Sequence, residues 1–123
     1  TIPISILPPP AGQGTIAIQC SNLLDKNVMD GLYKLINHEK TYYEILAERS
    51  FVKHLRGSCR SPISSFANTN KDGVMKLNGY VANLKGTKIL HGTLSDRFVN
   101  AKIIGKNLAK ILIKKGADDI LTF

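Results

Sequence analysis

The sequence of 123 residues contains no tryptophan, only two cysteines, and 9 acidic residues against 17 lysines and arginines. Two cysteines cannot form a framework of disulfide bonds, so a reducing compartment such as the cytosol is the simpler expectation. The sequence also lacks any apolar run near the roughly 18 residues that a membrane-spanning helix needs. These absences argue against a disulfide-stabilised secreted domain and against a chain embedded in a membrane.

The beginning of the chain lacks both an initiator methionine and the marks of a secretory signal peptide. The first four residues, Thr1-Ile2-Pro3-Ile4, place no basic stretch ahead of an apolar one. We therefore expect no signal peptide, and we expect this chain to be a piece of a longer protein.

Positive charge is what the sequence has in excess, with a net charge of +8 and an isoelectric point near 9.7. Such a balance favours an anionic partner, which includes nucleic acid, acidic lipid and a polycarboxylate substrate, and the charge by itself does not choose among them. The 43% hydrophobic and 21% charged contents are those of an ordinary globular protein. The length suits one domain and a little more.

The first part of the chain predicts an extended segment. Four prolines among the first ten residues disfavour a helix, and Gly12-Gln13-Gly14 follows as a flexible elbow. Alternating apolar residues predict a strand over Thr15–Cys20, with Cys20 on its buried face. Because no hairpin partner for this strand lies nearby, we expect it to belong to a neighbouring domain, together with an amphipathic helix over Asp25–Ile36.

The remainder of the chain predicts an α+β domain. Apolar residues at helical spacing predict helices over His38–Leu55 and Phe98–Lys115, the first ended by Gly57 and the second capped by Ser95 or Asp96. Strands are predicted over residues 62–68, 74–83 and 87–94, with turns at residues 70–73 and 85–86. The order helix-strand-strand-strand-helix predicts a three-stranded antiparallel sheet with the helices packed on one face.

The last predicted helix carries a basic ridge, in which lysines recur every four residues at Lys102, Lys106, Lys110 and Lys114. The simpler interpretation is a solvated surface face. The alternative is a phosphate-binding surface, since the predicted order of elements is also that of double-stranded-RNA-binding domains. The first turn of this helix contains no lysine cluster, which favours the solvated face.

Other motifs for catalysis or metal binding are incomplete. The pair His38-Glu39 would need a second histidine at the position of Tyr42 to match a zinc-protease helix. Gly12-Gln13-Gly14 lacks the third glycine of a dinucleotide-binding fingerprint and precedes the strand that such a motif would follow. We therefore expect no metal site, and no histidine lies in a recognisable nucleophile elbow.

Cys59 lies in the loop between the first long helix and the first strand of the domain. Arg56 and Arg60 flank it, and nearby positive charge favours the thiolate, which is the reactive form of cysteine. The residues by themselves leave two interpretations open, a reactive thiol and an ordinary loop cysteine.

Several segments, taken in chain order, resemble the porphobilinogen deaminase family. Leu7–Cys20 resembles the family's Gly-Gln-Gly segment, and Gly57-Ser58-Cys59-Arg60-Ser61-Pro62-Ile63 resembles its cofactor loop, Gly-Gly-Cys-x-x-Pro-Ile. Further matches are Asn37-His38-Glu39, Ala47-Glu48-Arg49 and the ending Gly116–Leu121. The resemblance covers nearly the whole chain and departs from the family pattern at Ser58 and Ser64, where glycine is usual.

The resemblance implies a three-domain cytoplasmic transferase that joins four porphobilinogen units into hydroxymethylbilane for haem biosynthesis. It implies a dipyrromethane cofactor held through a thioether by Cys59, with Gln13 as a ligand contact and with Gly12 and Gly14 allowing the backbone to approach the ligand. The family's catalytic aspartate lies in earlier sequence that this chain does not contain. No catalytic residue is therefore expected here, and the chain by itself is expected to be inactive.

The resemblance also implies a division of the chain and a set of partners. Residues 1–24 would be a segment of domain one, residues 25–36 a linker helix, and residues 37–123 the C-terminal cofactor-carrying domain. The partners would be porphobilinogen, the growing pyrrole chain and domains one and two, with no nucleic acid and no membrane. The alternative is a small basic α+β module that binds RNA or another anionic partner through the last helix.

Overall fold

A computed structural model describes residues 2–57 and 60–121. The elements, in chain order, are α1 (Lys26–Ile36), α2 (Glu39–His54), β1 (Ile63–Thr69), β2 (Val74–Ala82), β3 (Ile89–Arg97), a 3-10 turn (Phe98–Asn100), α3 (Ala101–Lys114) and α4 (Ala117–Ile120). Within these two ranges, every helix falls short of the length and apolarity that spanning a bilayer requires.

The three strands form one antiparallel sheet in the order β1-β2-β3. The predicted turn at residues 70–73 joins β1 to β2, and the side-chain oxygen of Asn70 accepts hydrogen bonds from the N–H groups of Asp72 (3.0 Å) and Val74 (2.9 Å). Asparagine favours this position because its side chain satisfies the backbone of the turn that follows. The sheet, its order and this turn confirm the prediction from sequence.

Helices α2 and α3 pack side by side on one face of the sheet, as predicted. The side chains that are buried between the helices and the sheet include Phe51, Met75, Leu77, Val81, Ile104, Leu108 and Leu112. The helices approach closely at Gly105, where an added Cβ would lie 2.3 Å from the carbonyl oxygen of Ala47 and 2.7 Å from the amide nitrogen of Phe51. The core of this α+β domain therefore lies between one helical layer and one face of the sheet.

Helix α2 ends at His54, and the left-handed residue that follows its end is Arg56, one position before the glycine predicted to stop the helix. Arg56 adopts a positive φ of 54°, and its N–H donates to the carbonyl of Lys53 while the N–H of Gly57 donates to the carbonyl of Val52. This is the hydrogen-bond pattern of a Schellman motif, in which the left-handed residue is normally glycine. Position 57 favours glycine for a different reason, which is steric: a Cβ there would lie 2.7 Å from Cδ1 of Ile63.

The start of the last helix differs from the prediction. Strand β3 continues through Arg97, since Asp96 still pairs with Met75 in the ladder, so neither Ser95 nor Asp96 caps the helix. Asn100 occupies the N-cap position of α3 without a side-chain capping bond. The carboxylate of Asp96 instead accepts a hydrogen bond from the Asn100 amide at 2.9 Å.

The segment before α1 does not form the predicted strand. Residues 15–20 have no strand partner among the described residues, and Ile16 and Ile18 are 90% and 63% exposed. Cys20 is half-buried, so its assignment to a buried face is also wrong for this structure. Without a neighbouring strand, the backbone N–H and C=O groups of residues 15–20 face water. The segment therefore lacks the interstrand hydrogen bonds that would stabilise a strand.

Helix α1 forms as predicted, and the Asp25 carboxylate caps it by accepting from the N–H groups of Asn27 (2.8 Å) and Val28 (3.4 Å). No residue of α1 is buried, although its apolar side chains lie along one face. Leu35 is 83% exposed and Tyr33 is 57% exposed. Local propensity and capping therefore form this helix, and no core covers its apolar face among the described residues.

Candidate functional site

Cys59, the cysteine that the sequence singles out, lies outside the described residues, as does Ser58. The residues on either side of this pair are described. Gly57 and Ser61 both line an open cleft of about 1220 Å³ that runs along the ends of α2 and α3. Described residues on both sides of this pair therefore lie at the cleft.

The elbow predicted at residues 12–14 contributes Gly12 to the lining of the same cleft. Two successive turns build it, with the Gln13 N–H donating to the carbonyl of Pro10 and the Thr15 N–H donating to the carbonyl of Gly12, both at 3.1 Å. Gly12 and Gly14 each have φ of +79°, a conformation that residues with a Cβ rarely adopt. Gly12 and Thr15 line the cleft, whereas Gln13 and Gly14 are exposed and lie beyond its lining.

The buried carboxylate of Glu48 connects this elbow to the α+β domain. One oxygen of Glu48 accepts a hydrogen bond from the N–H of Gly12 and the other accepts from the N–H of Ala67 in β1, each at 2.8 Å. Glu48 is 5% exposed. In the sequence, Glu48 stood out only as part of a segment that resembles the family. Its position could have indicated burial, because an acidic residue three positions before Phe51 falls on the buried face of an amphipathic helix.

Burial raises the pKa of Glu48 above its ordinary value of 4.5, because the charged form loses its hydration. The hydrogen bonds from Ala67 and Gly12 act in the opposite direction and lower the pKa, while the nearby charge of Glu44 raises it further. The net shift is upward. Glu44 itself accepts a hydrogen bond from the N–H of Thr69 at 2.6 Å and lies 3.9 Å from the Lys40 ammonium.

The cleft is strongly basic. The cationic side chains that line it, named here the cleft cations, are Arg49, Lys53, Arg56, Lys102 and Lys106. Its lining contains no aspartate or glutamate among the described residues. The described lining therefore presents several positive charges and no carboxylate of its own to an anionic ligand.

The contacts at the base of the cleft fix the two helices relative to each other. The Ser50 hydroxyl of α2 donates a hydrogen bond to the backbone carbonyl of Lys102 in α3 at 2.7 Å. His54 lies next to it, with Nδ1 2.7 Å from the carbonyl of Ser50. In residues 2–57 and 60–121, no group of three or more His, Cys, Asp or Glu side chains is arranged to hold a metal ion.

Comparisons with known proteins agree on one family. A family model described as "Porphobilinogen deaminase, C-terminal domain" matches residues 42–114. Among curated relatives, the porphobilinogen deaminase of Lawsonia intracellularis is 36% identical over 121 residues, which cover 98% of this chain and 38% of the relative. The porphobilinogen deaminase of Buchnera aphidicola subsp. Acyrthosiphon pisum is 40% identical over 120 residues, which cover 98% of this chain and 37% of the relative.

The porphobilinogen deaminase of Cytophaga hutchinsonii is 36% identical over 113 residues, which cover 92% of this chain and 36% of the relative. The chain thus spans under two-fifths of the length of the curated relatives it matches. These relatives give no support to the RNA-binding alternative. The matched residues include the sheet, α3 and all but the first three residues of α2, so the chain belongs to the porphobilinogen deaminase family and contains the C-terminal domain of that family.

Proposed function

We propose that this chain is the cofactor-carrying C-terminal part of a porphobilinogen deaminase, a cytoplasmic transferase that condenses four porphobilinogen units into hydroxymethylbilane. The observation that carries the proposal is the convergence on one cleft of segments far apart in the sequence. Gly12 of the elbow lines the same basic cleft as Gly57 and Ser61, which flank the loop with Cys59. Both segments are the ones that resemble the family's ligand-binding motifs.

In this proposal Cys59 holds the dipyrromethane cofactor through a thioether. When bound, the cofactor supplies a covalent primer to which pyrrole units are joined. The donor set of the cleft fits such a group, because acetate and propionate side chains are anionic and the described lining contains cations and no carboxylate. Positive charge from Arg56 and Arg60 favours the thiolate of Cys59, which is the nucleophilic form needed to make the thioether.

We assign ligand contact to the elbow as well. Gln13 is exposed at the corner of two turns, where its amide is free to donate to and accept from a polar ligand. A Cβ added to Gly14 would meet no atom within 4 Å, which leaves open space for a ligand to approach the backbone. The left-handed conformations of Gly12 and Gly14 support the same role, since they hold the turn that presents Gln13.

The division of the chain follows from the same proposal. Residues 1–24 belong to domain one, residues 25–36 form a linker helix, and residues 37–123 form the cofactor-carrying domain. The exposed apolar side chains of α1 and of the preceding segment support burial against domains one and two. The chain by itself does not turn over substrate, because the catalytic aspartate of the family lies in those other domains.

Peptide mapping by mass spectrometry tests the proposal on the protein at its natural length. We expect the peptide that contains Cys59 to carry the mass of two porphobilinogen units less their ammonia, and the peptide that contains Cys20 to carry none. Cys59→Ser should remove this mass and the formation of hydroxymethylbilane, whereas the matched variant Cys20→Ser should keep both. A protein that makes hydroxymethylbilane with an unmodified Cys59 would contradict the assignment of the anchor.

A further inference from the structure

The basic ridge predicted on the last helix divides into two parts in the structure. Lys102 and Lys106, in the first half of α3, line the cleft. Lys110 and Lys114 continue the same spacing but lie outside the cleft lining. All four side chains are exposed, so the difference between the two pairs is their position and not their burial.

A second pair of cations approaches the cleft from α2. Arg49 and Lys53 are separated by four residues, as are Lys102 and Lys106, so each helix presents two cations on successive turns. The close contact of the helices at Gly105 and the hydrogen bond from Ser50 to the Lys102 carbonyl hold these two pairs beside each other. The positions of the charges are therefore set by rigid elements rather than by loops.

The cleft cations lack a counter-ion among the residues that the structure describes. Among the described residues, no carboxylate oxygen lies within 4.0 Å of the side-chain nitrogens of Arg49, Lys53, Lys102 or Lys106. The buried Glu48 carboxylate is already bonded to two backbone N–H groups and does not line the cleft. Surface charges of both signs are normally interspersed, so a group of like charges that share one cleft favours an anionic ligand there.

From these observations we infer that Arg49, Lys53, Lys102 and Lys106 form a carboxylate subsite on the C-terminal domain that binds the acetate and propionate groups of porphobilinogen. The chemical class of the ligand follows from the multiple, separately placed cations, which match a ligand that carries more than one carboxylate. The identity of that ligand as porphobilinogen rests on the proposed function. The subsite itself rests on the geometry of α2 and α3.

Two double variants of the protein at its natural length test this subsite. Lys102→Gln with Lys106→Gln removes two cleft cations, and Lys110→Gln with Lys114→Gln removes the same charge from the same helix outside the cleft. We expect the cleft variant to raise the KM for porphobilinogen about threefold to tenfold with little change in kcat, as expected for loss of two exposed charge contacts. The control variant should leave KM unchanged.

Titration with citrate, a tricarboxylate, gives a second readout that needs no turnover. We expect the cleft variant to weaken citrate binding by a similar factor, the control variant to bind as the parent does, and added salt to reduce the difference. Both variants should retain the parent's unfolding midpoint. Equal effects of the two double variants on KM and citrate binding would overturn the subsite, as would loss of binding to a single-stranded RNA oligonucleotide while KM and citrate binding stay constant.

The failure of the subsite is distinguishable from failure of the proposed function. Pyrrole mass on Cys59 together with an unchanged KM and citrate affinity in the cleft variant would retain the proposed function and refute the subsite. Citrate binding that depends on Lys102 and Lys106 in a protein with an unmodified Cys59 would retain the carboxylate subsite and refute the proposed ligand.

Discussion

At the scale of single residues, Glu48 connects the elbow at residues 12–14 to strand β1. Its carboxylate is almost wholly buried and bridges the N–H of Gly12 to the N–H of Ala67. A buried charge is stable only when hydrogen bonds replace its hydration, and both oxygens here have such a partner. Glu48 therefore holds the elbow against the domain at the edge of the cleft.

Glu48→Gln should weaken this connection. The side-chain amide retains one oxygen acceptor and turns an NH₂ group toward one of the two backbone N–H donors, which leaves that donor without a partner. We expect a loss of about 1–3 kcal/mol in unfolding free energy and faster hydrogen exchange at the Gly12 amide. Glu39→Gln, an exposed acid in the first turn of the same helix, is the control; it should leave exchange at the Gly12 amide unchanged and lower the unfolding free energy by less than about 1 kcal/mol.

The raised pKa of Glu48 predicts the direction in which stability depends on pH. Because burial makes the folded state bind the proton more tightly than the unfolded state, the contribution of Glu48 is fully present below pH 4.5 and is lost as pH rises through the folded pKa. The glutamine of the Glu48→Gln variant does not titrate. The difference in unfolding free energy between the parent and the variant should therefore shrink between pH 4 and pH 7. Urea unfolding of both proteins across this pH range measures that difference. A difference that grows with pH would contradict the upward shift of the Glu48 pKa.

At the scale of elements, hydrophobic periodicity and turn chemistry predicted nearly all of the helices and strands. The helix over Asp25–Ile36 and the hairpin turn at residues 70–73 formed where the sequence placed them, because their capping and turn residues act locally. The end of α2 and the start of α3 were displaced by contacts that periodicity does not contain. The left-handed turn at Arg56 ends α2, and the continued pairing of Asp96 with Met75 delays the start of α3.

The contact between α2 and α3 at Gly105 is the element-level feature most sensitive to substitution. Gly105→Ala would place a Cβ against backbone atoms of Ala47 and Phe51, which cannot move aside as a side chain can. We expect a loss of about 1–3 kcal/mol in unfolding free energy, measured by urea denaturation. Gly31→Ala on α1, where a Cβ meets no atom within 4 Å, should instead stabilise by about 0.5–1 kcal/mol. Equal changes in unfolding free energy for the two variants would show that packing between α2 and α3 does not determine the effect of Gly105→Ala.

At the scale of the whole molecule, the described residues divide into a packed α+β domain and an N-terminal part with little buried surface. The core side chains all lie in α2, the sheet, α3 and the residues that adjoin them. The segment before α1 and α1 itself expose most of their large apolar side chains. Contiguous exposed apolar surface of this kind is typical of a face that another part of a protein covers.

Leu35→Gln in the protein at its natural length tests whether the rest of the protein covers α1. Leu35 is 83% exposed in this chain, so a solvated face predicts almost no change in the unfolding midpoint. Burial against domains one and two predicts a loss of about 1–3 kcal/mol, because a buried leucine would be replaced by an amide. Lys34→Gln, at the adjacent exposed position, is the control and should have little effect. An equal response of the two variants would refute the proposed contact.

The α+β class, the antiparallel sheet, the family and the interest of Cys59 and the elbow were all predictable from the sequence. Periodicity, turn residues and motif spacing are properties of short segments, so they can be seen without a structure. The hydrogen bond from Gly12 to Glu48 was visible only in the folded chain. So was the position of Lys102 and Lys106, but not Lys110 and Lys114, at one cleft with the cations of α2. Those facts depend on how two helices pack across Gly105. Relative placement of distant segments is set by packing, which local patterns do not contain.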